Sequence, residues 1–395
     1  MIFDKLIFNK TKRGAALYPM ELLSGNASFT PWNGDAYAND IYRSAVDAIA
    51  RNAGKLKGTH FTQNGELRQQ VDGRINRLLQ VQPNPYMNAY DMIYKTVTQL
   101  ILHNNAFIYI RRENGNVVGF YPITENRVEF LEDSARELYC RFYFQNGSSF
   151  IFSYGDVIHL RRHFNGNDLL GDSNDALYPA LELAHTQNEG IVNAIKSGAS
   201  IRGILRFEQL MNPDKLREES RKFTDQYLSM NNSGGLIAVD QKMSYSPINS
   251  NPVNIDSEQI RAIQTKIYNY LGISEKIVNS SYTEDEWCAF YESTIEPVAV
   301  QLSLEFTRKI FTEREQAFGN RIIFESSRLQ FASNSTKVNV IKELVPYGIL
   351  TINQALEILN LPAVEDGDRR LQTLNVVNAQ KADLYQIGGS ENAEE

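Results

Sequence analysis

Hydrophobic residues follow two different periods along the first 160 positions of the chain. Apolar side chains recur every three or four residues up to about residue 110, which predicts helices joined by loops, at residues 42–53, 74–79 and 90–101. Asn88 is placed to cap the third of these helices. The pattern then alternates and predicts strands at residues 105–112, 119–122, 138–144, 149–152 and 156–161. Asn114-Gly115 and Asn146-Gly147 predict the turns of two hairpins.

Two long amphipathic patterns flank a small mixed segment in the middle of the chain. The first predicts a helix from Ser173, capped by Asp172 or by Ser173 itself, that ends before Gly198. The second predicts a helix from Asp256 to Gly272, with Gln259 in the capping-box position. Between them the sequence predicts a strand, a helix opened by Asn212 and a second strand, at residues 203–207, 213–228 and 236–239, then a loop at residues 246–252.

A very long helical pattern dominates the last third of the chain. Thr283 and Glu286 form a T-x-x-E capping box, from which the helix is predicted to run to about Phe318. Pro297 lies inside it and should kink it, because proline removes a backbone hydrogen bond. Strands are predicted at residues 321–324 and 328–331, helices at 335–345 and 351–359, and a polar, loosely ordered tail at 374–395. Strand-rich and helical blocks succeed one another, so the predicted fold class is α+β.

The composition is that of a globular protein with room for two or more domains. Of its 395 residues, 42% are hydrophobic and 22% are charged. No stretch approaches the ~20 apolar residues that cross a bilayer, and the short apolar run before Lys10 does not resemble a signal peptide. Cys140 and Cys288 show neither CxxC nor metal-ligand spacing, so we interpret them as packing residues of a protein from a reducing compartment.

The net charge limits the ways in which the protein could handle nucleic acid. A formal charge of −7 argues against a protein that grips DNA tightly, because phosphate contacts require basic residues. The same balance suits a surface along which DNA slides, since few fixed cations create few electrostatic traps.

Motifs for catalysis, cofactors and metals are not found in the sequence. It has no phosphate-binding GxxxxGK[ST] loop, no His-Glu-x-x-His or Cys/His cluster and no Gly-x-Ser-x-Gly elbow. We interpret His159 and His163 as structural, and residues 365–368 as a turn rather than a calcium loop. We expect no cofactor and no metal. A hydrolase or nucleic-acid-processing enzyme whose site is dispersed in sequence remains the alternative.

Five short blocks stand in order between residues 40 and 375. They are QPNPYM (82–87) with LILHNNAF (100–107), DVIHL (156–160) with LGDS (170–173), KSGA (196–199) with GIL (203–205), the helix 260–273 that ends in Gly272 and Ile273, and YGILTINQ (347–354) with Leu361-Pro362 and Gly367-Asp368. Together they resemble the portal proteins of long-tailed bacteriophages, in the short-chain branch of that family. Asn104, Ser274 and Gln354 replace the glycine, proline and glutamate that are common in the family's pattern.

The resemblance implies a portal fold with an α/β wing, two stem helices, a small α/β clip, a long kinked spine helix and a helical crown. It implies these boundaries: wing 1–173, first stem helix 174–198, clip 199–253, second stem helix 254–272, tunnel loop 273–284, spine 285–318, wing strands 319–333, crown 334–373 and flexible tail 374–395. The implied role is not enzymatic. It is a ring, usually of twelve copies, at one vertex of the capsid, which forms in the host cytoplasm during assembly and stays in the virion.

The resemblance also implies partners: the major capsid protein, the terminase large subunit, a head-completion or adaptor protein, and double-stranded DNA bound without sequence specificity, but no membrane. Another ring or scaffold protein of a virion, such as a head-completion protein, is a third possibility, although those chains are usually much shorter. Double-stranded DNA would pass through the ring during packaging and ejection.

Three groups of residues are candidates for contacts with these partners. Each has a plain structural alternative, namely a solvated helix face for the charged groups and packing on the spine helix for Tyr282. The candidates are Arg261, Lys266 and Lys276 for cationic rings in the DNA channel; Asn279, Ser280, Ser281, Tyr282 and Thr283 for a loop that meets DNA; and Lys215, Arg217, Glu218, Glu219, Arg221 and Lys222 for docking of terminase or adaptor proteins.

Overall fold

The chain folds as two units that interleave along the sequence. In this computed structural model the described residues are 18–19, 28–29, 35–64, 67–125, 127–199, 203–207, 212–227, 243–247, 257–325, 334–359 and 361–372. The first unit comprises Met1–Arg51, Tyr94–Arg111 and Tyr121–Val278, and the second comprises Asn52–Ile93, Arg112–Phe120 and Asn279–Glu395. Among the helices described, none combines the length and the apolar character that crossing a membrane requires.

The elements up to residue 161 confirm most of the predicted helices and strands. Helix α4 is capped as expected, since the Asp91 N–H donates to Asn88 Oδ1 over 2.8 Å, and both hairpins form. The helices are α1 (Asp35–Ala38), α2 (Asp40–Ala53), α3 (Arg74–Gln80) and α4 (Ala89–His103). The strands are β1 (Tyr18–Pro19), β2 (Ser28–Phe29), β3 (Lys57–Asn64), β4 (Leu67–Gln70), β5 (Asn105–Glu113), β6 (Asn116–Ile123), β7 (Arg127–Glu132), β8 (Leu138–Tyr143), β9 (Ser149–Ser153) and β10 (Val157–Arg161).

The elements after residue 161 are mainly helical. The helices are α5 (Tyr178–Ala199), α6 (Pro213–Tyr227), α7 (Ser257–Leu271), α8 (Glu275–Val278), α9 (Glu284–Phe290), α10 (Glu296–Ile310), α11 (Glu313–Ala317), α12 (Asn334–Leu344) and α13 (Ile352–Ile358). The strands are β11 (Gly203–Phe207), β12 (Met243–Pro247), β13 (Asn320–Glu325), β14 (Tyr347–Thr351) and β15 (Arg370–Gln372). The mixture of helices and antiparallel strands confirms the α+β class.

The described strands form small sheets. The largest has the order β1-β7-β8-β9 with β2 also on β7, and two three-stranded sheets have the orders β10-β5-β6 and β13-β3-β4. Two ribbons, β11-β12 and β14-β15, complete the set. Pairings with a defined register, such as β7 with β8, are antiparallel.

The core of the first unit is aromatic and lies between the sheets that contain β5 and β8. Phe107 meets Phe142 edge to face at 5.2 Å and stacks on His159 at 4.4 Å. The His159 ring is buried and its Nε2 lies 3.1 Å from Asn105 Oδ1. His159 therefore has the structural role that the sequence predicted, since its ring fills the core and its nitrogen is hydrogen-bonded.

The core of the second unit joins α10 to strand β13. Phe306 lies edge to face with Phe324 at 4.9 Å and with Phe120 at 5.1 Å. Two hydroxyls of α10 reach the strand as well, because the Phe324 N–H donates to Ser303 Oγ over 2.8 Å and the Ile322 N–H donates to Thr307 Oγ1 over 2.9 Å. These bonds fix the register of α10 against β13.

Several boundaries differ from the prediction in the first two thirds of the chain. Residues 57–70 were expected to lie between helices but contain β3 and β4. Helix α5 begins at Tyr178 rather than Ser173, with Pro179 in its first turn where a missing N–H costs nothing, and it continues through Gly198 to Ala199. Strand β12 includes residues 246–247 of the predicted loop.

The long helix is interrupted and ends early. Tyr291–Ile295 form a π-helical turn that ends two residues before Pro297, so the helix is interrupted by a widened turn close to the position of the predicted kink. The helix ends at Ile310 rather than Phe318, because Phe311 is extended and Thr312 opens α11 with a new capping box. Cys140 is buried, as expected of a packing residue, but Cys288 is exposed.

Some predictions fall outside the described residues. These are the cap at Asp256, the strands at 236–239 and 328–331, and the tail at 374–395.

Candidate functional site

The charged residues of α7 lie on its exposed face. Arg261 and Lys266 are exposed, whereas Ile263, Ile267 and Leu271 on the same helix are buried. Gly272 ends the helix with a φ of 72°, as predicted for a residue in the left-handed region. Lys276 follows on α8 and is also exposed. Three cations of the first unit are therefore accessible from solvent.

The loop at residues 279–283 is exposed, and its backbone is held by a left-handed residue and a capping box. Ser280 adopts a φ of 57°. Thr283 closes the loop through the predicted capping box with Glu286, whose carboxylate accepts the Thr283 N–H over 2.9 Å. Tyr282 remains 39% exposed, and its ring centroid lies 5.3 Å from that of Trp287 on α9. Tyr282 therefore packs on the helix and still exposes part of its ring, and its contact with DNA stays a prediction.

An exposed lysine and a buried tryptophan lie next to this loop within the second unit. Lys55 Nζ lies 5.7 Å from the Trp287 ring centroid, which is the geometry of a cation–π contact. Sequence reasoning did not single out either residue, because they are separated by more than 200 positions. The T-x-x-E box that places Trp287 on the first turn after the loop was the available signal.

Helix α6 presents both signs of charge. Lys215, Arg217, Glu218, Arg221 and Lys222 are exposed. Lys222 Nζ lies 3.0 Å from Glu218 and 3.1 Å from Glu219, and hydrogen bonds to these carboxylates raise the pKa of Lys222. Pairs of this kind within a helix are typical of a solvated face. The pairs of Lys222 with Glu218 and Glu219 therefore neutralise part of the charge on the candidate docking face of α6. Arg217 and Arg221 on the same helix are exposed.

A cluster of two buried and two half-buried polar side chains, here called the polar junction, was not predicted. It consists of Asn104, Arg162, Asn174 and Tyr270, all in the first unit. Asn174 is its centre, since Nδ2 donates to the carbonyl oxygens of Ile101 (3.1 Å) and Leu102 (2.8 Å) in the last turn of α4. Its Oδ1 accepts from Asn104 Nδ2 and from the Tyr270 hydroxyl, each over 2.8 Å. Asn174 therefore connects the end of α4 to the end of α7.

Arg162 joins the polar junction through its contacts with Tyr270. Its Nη2 donates to the Tyr270 carbonyl oxygen over 3.0 Å, and its guanidinium lies 5.7 Å from the Tyr270 ring centroid. Burial lowers the pKa of Arg162, and within the described part of the chain no carboxylate forms an ion pair with it. The free carbonyl groups and dipole at the end of α7 therefore supply the negative partner of this cation.

A close backbone approach brings the strands of the junction together. The Arg162 N–H donates to the Asn104 carbonyl oxygen over 2.8 Å. Gly171 packs against both Arg162 and Asn104, and a Cβ at this position would lie far inside van der Waals contact with their carbonyl oxygens. Asn105 fixes the same glycine, since its Oδ1 accepts the Gly171 N–H over 2.9 Å. The junction thus depends on a position that accepts only glycine.

Glu125 is a second buried ionisable group of the first unit. Only 9% of the residue is exposed. Burial raises the pKa of Glu125 to about 8, although the charge of Lys95 acts in the opposite direction. Burial also lowers the pKa of Lys95. A carboxyl group that is protonated at neutral pH inside the unit makes the stability of the protein depend on pH.

Replacement of Glu125 by glutamine should remove part of this pH dependence. The native state keeps a proton that the unfolded chain releases near pH 4.5, so the protein loses stability as pH rises from there to about 8. Glu125→Gln should be more stable than the parent protein at pH 8, by a margin that shrinks toward pH 5 at on the order of 1 kcal/mol per pH unit. Urea unfolding at several pH values measures this, and the exposed Glu137→Gln is the matched control. Equal slopes for the parent and Glu125→Gln would contradict the burial of a protonated Glu125.

Known proteins resemble this chain at two levels. Residues 40–360 match the family model described as phage portal protein. The chain is 25% identical over 186 residues to the probable portal protein of Lactococcus phage p2, an alignment covering 45% of this chain and 49% of that protein. It is 31% identical over 81 residues to protein BeeE of Escherichia coli strain K12, covering 20% of this chain and 52% of that protein. The chain thus spans about half the length of the curated relatives that it matches.

The fold is similar to that of chains in the neck of gene transfer agent particles. One belongs to the neck of an empty particle computed with C6 symmetry, with a TM-score of 0.59 and 14% identity over 84% of this chain and 93% of that chain. Another belongs to the neck of a native particle computed with C12 symmetry, with a TM-score of 0.58 and 13% identity over 84% of this chain and 92% of that chain. At these identities the likeness is one of fold. The family model, in contrast, matches more than half of the sequence, and this chain therefore belongs to the phage portal protein family.

Proposed function

We propose that this protein is the portal subunit of a tailed bacteriophage, located in the virion at one vertex of the capsid. The observation that carries the proposal is the match of residues 40–360 to the portal family. The likeness of fold to chains from particle necks supports it. The role is structural rather than catalytic. Immunogold labelling of particles should place the protein at a single vertex, whereas label at every vertex or at none would contradict the proposal.

We infer that copies of the chain assemble into a ring, with twelve as the proposed number because a structural relative comes from a neck computed with C12 symmetry. An exposed face of α10 supports assembly. Val300 is 52% exposed and Leu304 is 66% exposed, while Leu302 and Phe306 on the same helix are buried. A helix that is apolar on two faces normally has a packing partner on each of them. A ring supplies the second partner through a heterologous interface that closes on itself.

The ring is proposed to conduct double-stranded DNA during packaging and ejection. Each copy carries a formal charge of −7, so most of the wall would not hold DNA by attraction. The exposed cations Arg261, Lys266 and Lys276 would form local basic rings in the channel. The loop at residues 279–283 would place Tyr282 against the DNA, where an aromatic ring that carries a hydroxyl group suits a hydrated contact. No base-specific contact is needed, because every sequence of the genome must pass.

Removing the three cations tests the proposed channel. Particles that carry alanine at residues 261, 266 and 276 should retain less DNA, by about two-fold or more, because each lost cation removes a phosphate contact in every copy. A variant with alanine at the exposed Arg74, Arg77 and Arg136 loses the same charge elsewhere and should retain DNA normally. DNA content per particle is the measurement. If both variants behave like the parent, the three cations do not line the channel.

Further partners follow from the proposed role. The terminase large subunit and a head-completion protein would dock on α6, whose Arg217 and Arg221 are exposed beside carboxylates of the same helix. The major capsid protein would surround the ring at the vertex. Binding of purified terminase large subunit to the parent ring and to Arg217→Glu rings checks the assignment of α6. Unchanged affinity would place the docking surface elsewhere.

A further inference from the structure

Two atoms of the polar junction are buried without a hydrogen-bond partner in the part of the chain that the structure describes. One is Arg162 Nη1, which is a donor, and the other is Asn104 Oδ1, which is an acceptor. A buried polar atom that bonds neither protein nor water carries its full desolvation penalty. An unsatisfied donor and an unsatisfied acceptor in one cluster therefore indicate a small polar ligand.

The neighbouring polar groups are already committed to other partners. Asn174 Oδ1 accepts two hydrogen bonds, from Asn104 Nδ2 and from the Tyr270 hydroxyl, which fills both of its lone pairs. The Tyr42 hydroxyl donates to the Ile101 carbonyl oxygen over 3.2 Å. Burial raises the pKa of Tyr42, so this hydroxyl stays neutral and keeps its proton on that bond. None of these groups is left to serve Arg162 Nη1.

The side chains of Arg162 and Asn104 reach the same tyrosine from its two ends. Arg162 Nη2 donates to the Tyr270 carbonyl oxygen over 3.0 Å. Asn104 Nδ2 and the Tyr270 hydroxyl share one acceptor, Asn174 Oδ1. The backbones also meet, since the Arg162 N–H donates to the Asn104 carbonyl oxygen over 2.8 Å. One small molecule between the two side chains can therefore serve both unsatisfied atoms.

We propose that the polar junction binds an internal water molecule, which accepts a hydrogen bond from Arg162 Nη1 and donates one to Asn104 Oδ1. Water is suited to the site because it donates and accepts at once, and buried waters normally have two to four polar partners. A carbonyl oxygen of the junction has a second lone pair for the remaining hydrogen of the water. The water completes the connection between the end of α4 and the end of α7.

An anion such as chloride fits this site less well than water does. It would accept from Arg162 Nη1, but it has no hydrogen to offer Asn104 Oδ1. That oxygen and the Tyr270 carbonyl oxygen, which already accepts from Arg162, would repel it. The two ligands differ in their response to salt, because a bound anion stabilises the folded protein in proportion to its concentration whereas water does not.

Urea unfolding in sodium chloride and in sodium gluconate, at equal ionic strength, separates the two ligands in solution. The stability difference between the parent protein and Arg162→Met should be the same in both salts. Arg136→Met removes an exposed arginine of the same unit and is the matched control. A bound chloride would instead raise the folded-to-unfolded ratio of the parent, relative to Arg162→Met, by about ten-fold at a concentration ten times its Kd. That result would overturn the water.

Crystals of the parent protein, grown in chloride and transferred to bromide, test the site directly. They need no variant, so this test stands even where Arg162→Met does not fold. We expect one density peak within hydrogen-bond distance of Arg162 Nη1 and Asn104 Oδ1, without an anomalous signal in bromide. An anomalous peak would identify an anion, and a direct contact between the two atoms or a site without density would show that no water is bound. Each of these three results would overturn the proposal.

Discussion

Replacing Gly171 with alanine should destabilise the first unit by about 3 kcal/mol or more, because a methyl group there has no space to enter. The atoms it would meet are the backbone carbonyl oxygens of Arg162 and Asn104, which cannot rotate away as a side chain would. Relief requires the loop that carries Gly171 to move, and that movement breaks its hydrogen bond to Asn105 Oδ1.

Urea unfolding of purified protein measures this effect as a lower midpoint. Gly155→Ala is the matched control in the same unit, since a Cβ there would meet only the Ser153 hydroxyl at 3.4 Å, an ordinary contact. We expect the control to unfold within about 0.5 kcal/mol of the parent. A Gly171→Ala protein that unfolds like the control would mean that the backbone approach at the junction is looser than described.

Asn174→Ala should cost about 3 kcal/mol, because it leaves several buried groups without partners at once. The carbonyl oxygens of Ile101 and Leu102 lose their donor, and the Tyr270 hydroxyl and Asn104 Nδ2 lose their acceptor. Removing one partner of a buried hydrogen bond exposes the full desolvation penalty of the other. The effect should also appear at a distance, as faster amide hydrogen exchange in the last turns of α4 and α7.

Two further variants separate the hydrogen bonds of Asn174 from its volume. Asn174→Leu keeps apolar bulk but satisfies none of the four groups, so it should be as unstable as Asn174→Ala. The exposed Asn188→Ala on α5 is the control and should be near neutral. If Asn174→Leu restores the parent stability, the site is held by packing and the junction is not a hydrogen-bonded one.

The helical and hairpin pattern of the sequence predicted much of the local structure. Helices α2, α4, α6 and α7 and both Asn-Gly hairpins follow from side-chain period and capping residues, which are local signals. The T-x-x-E box at Thr283 was recognised, and the same motif at Thr312 and Glu315 was the available signal for the early end of the long helix. It was missed because the apolar spacing continues past it.

Strand β3 could not be predicted because its buried residues are polar. Thr59 and His60 face the interior, and they are accepted there only because distant residues bond them. The His60 N–H donates to Asn76 Oδ1 over 2.7 Å, and its ring Nε2 lies 2.9 Å from Asn320 Oδ1. The alternation of apolar and polar residues that normally indicates a strand is therefore absent from the sequence of β3.

The polar junction was missed for a similar reason. Asn174 was assigned to the first turn of α5, where an asparagine is unremarkable, yet it lies before the helix and bonds residues about 70 and 96 positions away. Partners at such separations leave no pattern in a local window. In contrast, the exposed cations and the loop at residues 279–283 were identifiable, because surface positions on a helix and a capped loop follow from local spacing.

The most direct measurement of the central claim is the size and shape of the assembled protein. Light scattering with negative-stain images should reveal rings of about twelve copies of the 45.0 kDa chain, with a central channel wide enough for a DNA duplex. A protein that stays monomeric, or forms only a small closed oligomer without a channel, even when produced together with its capsid proteins, would contradict the account of this chain as a portal subunit.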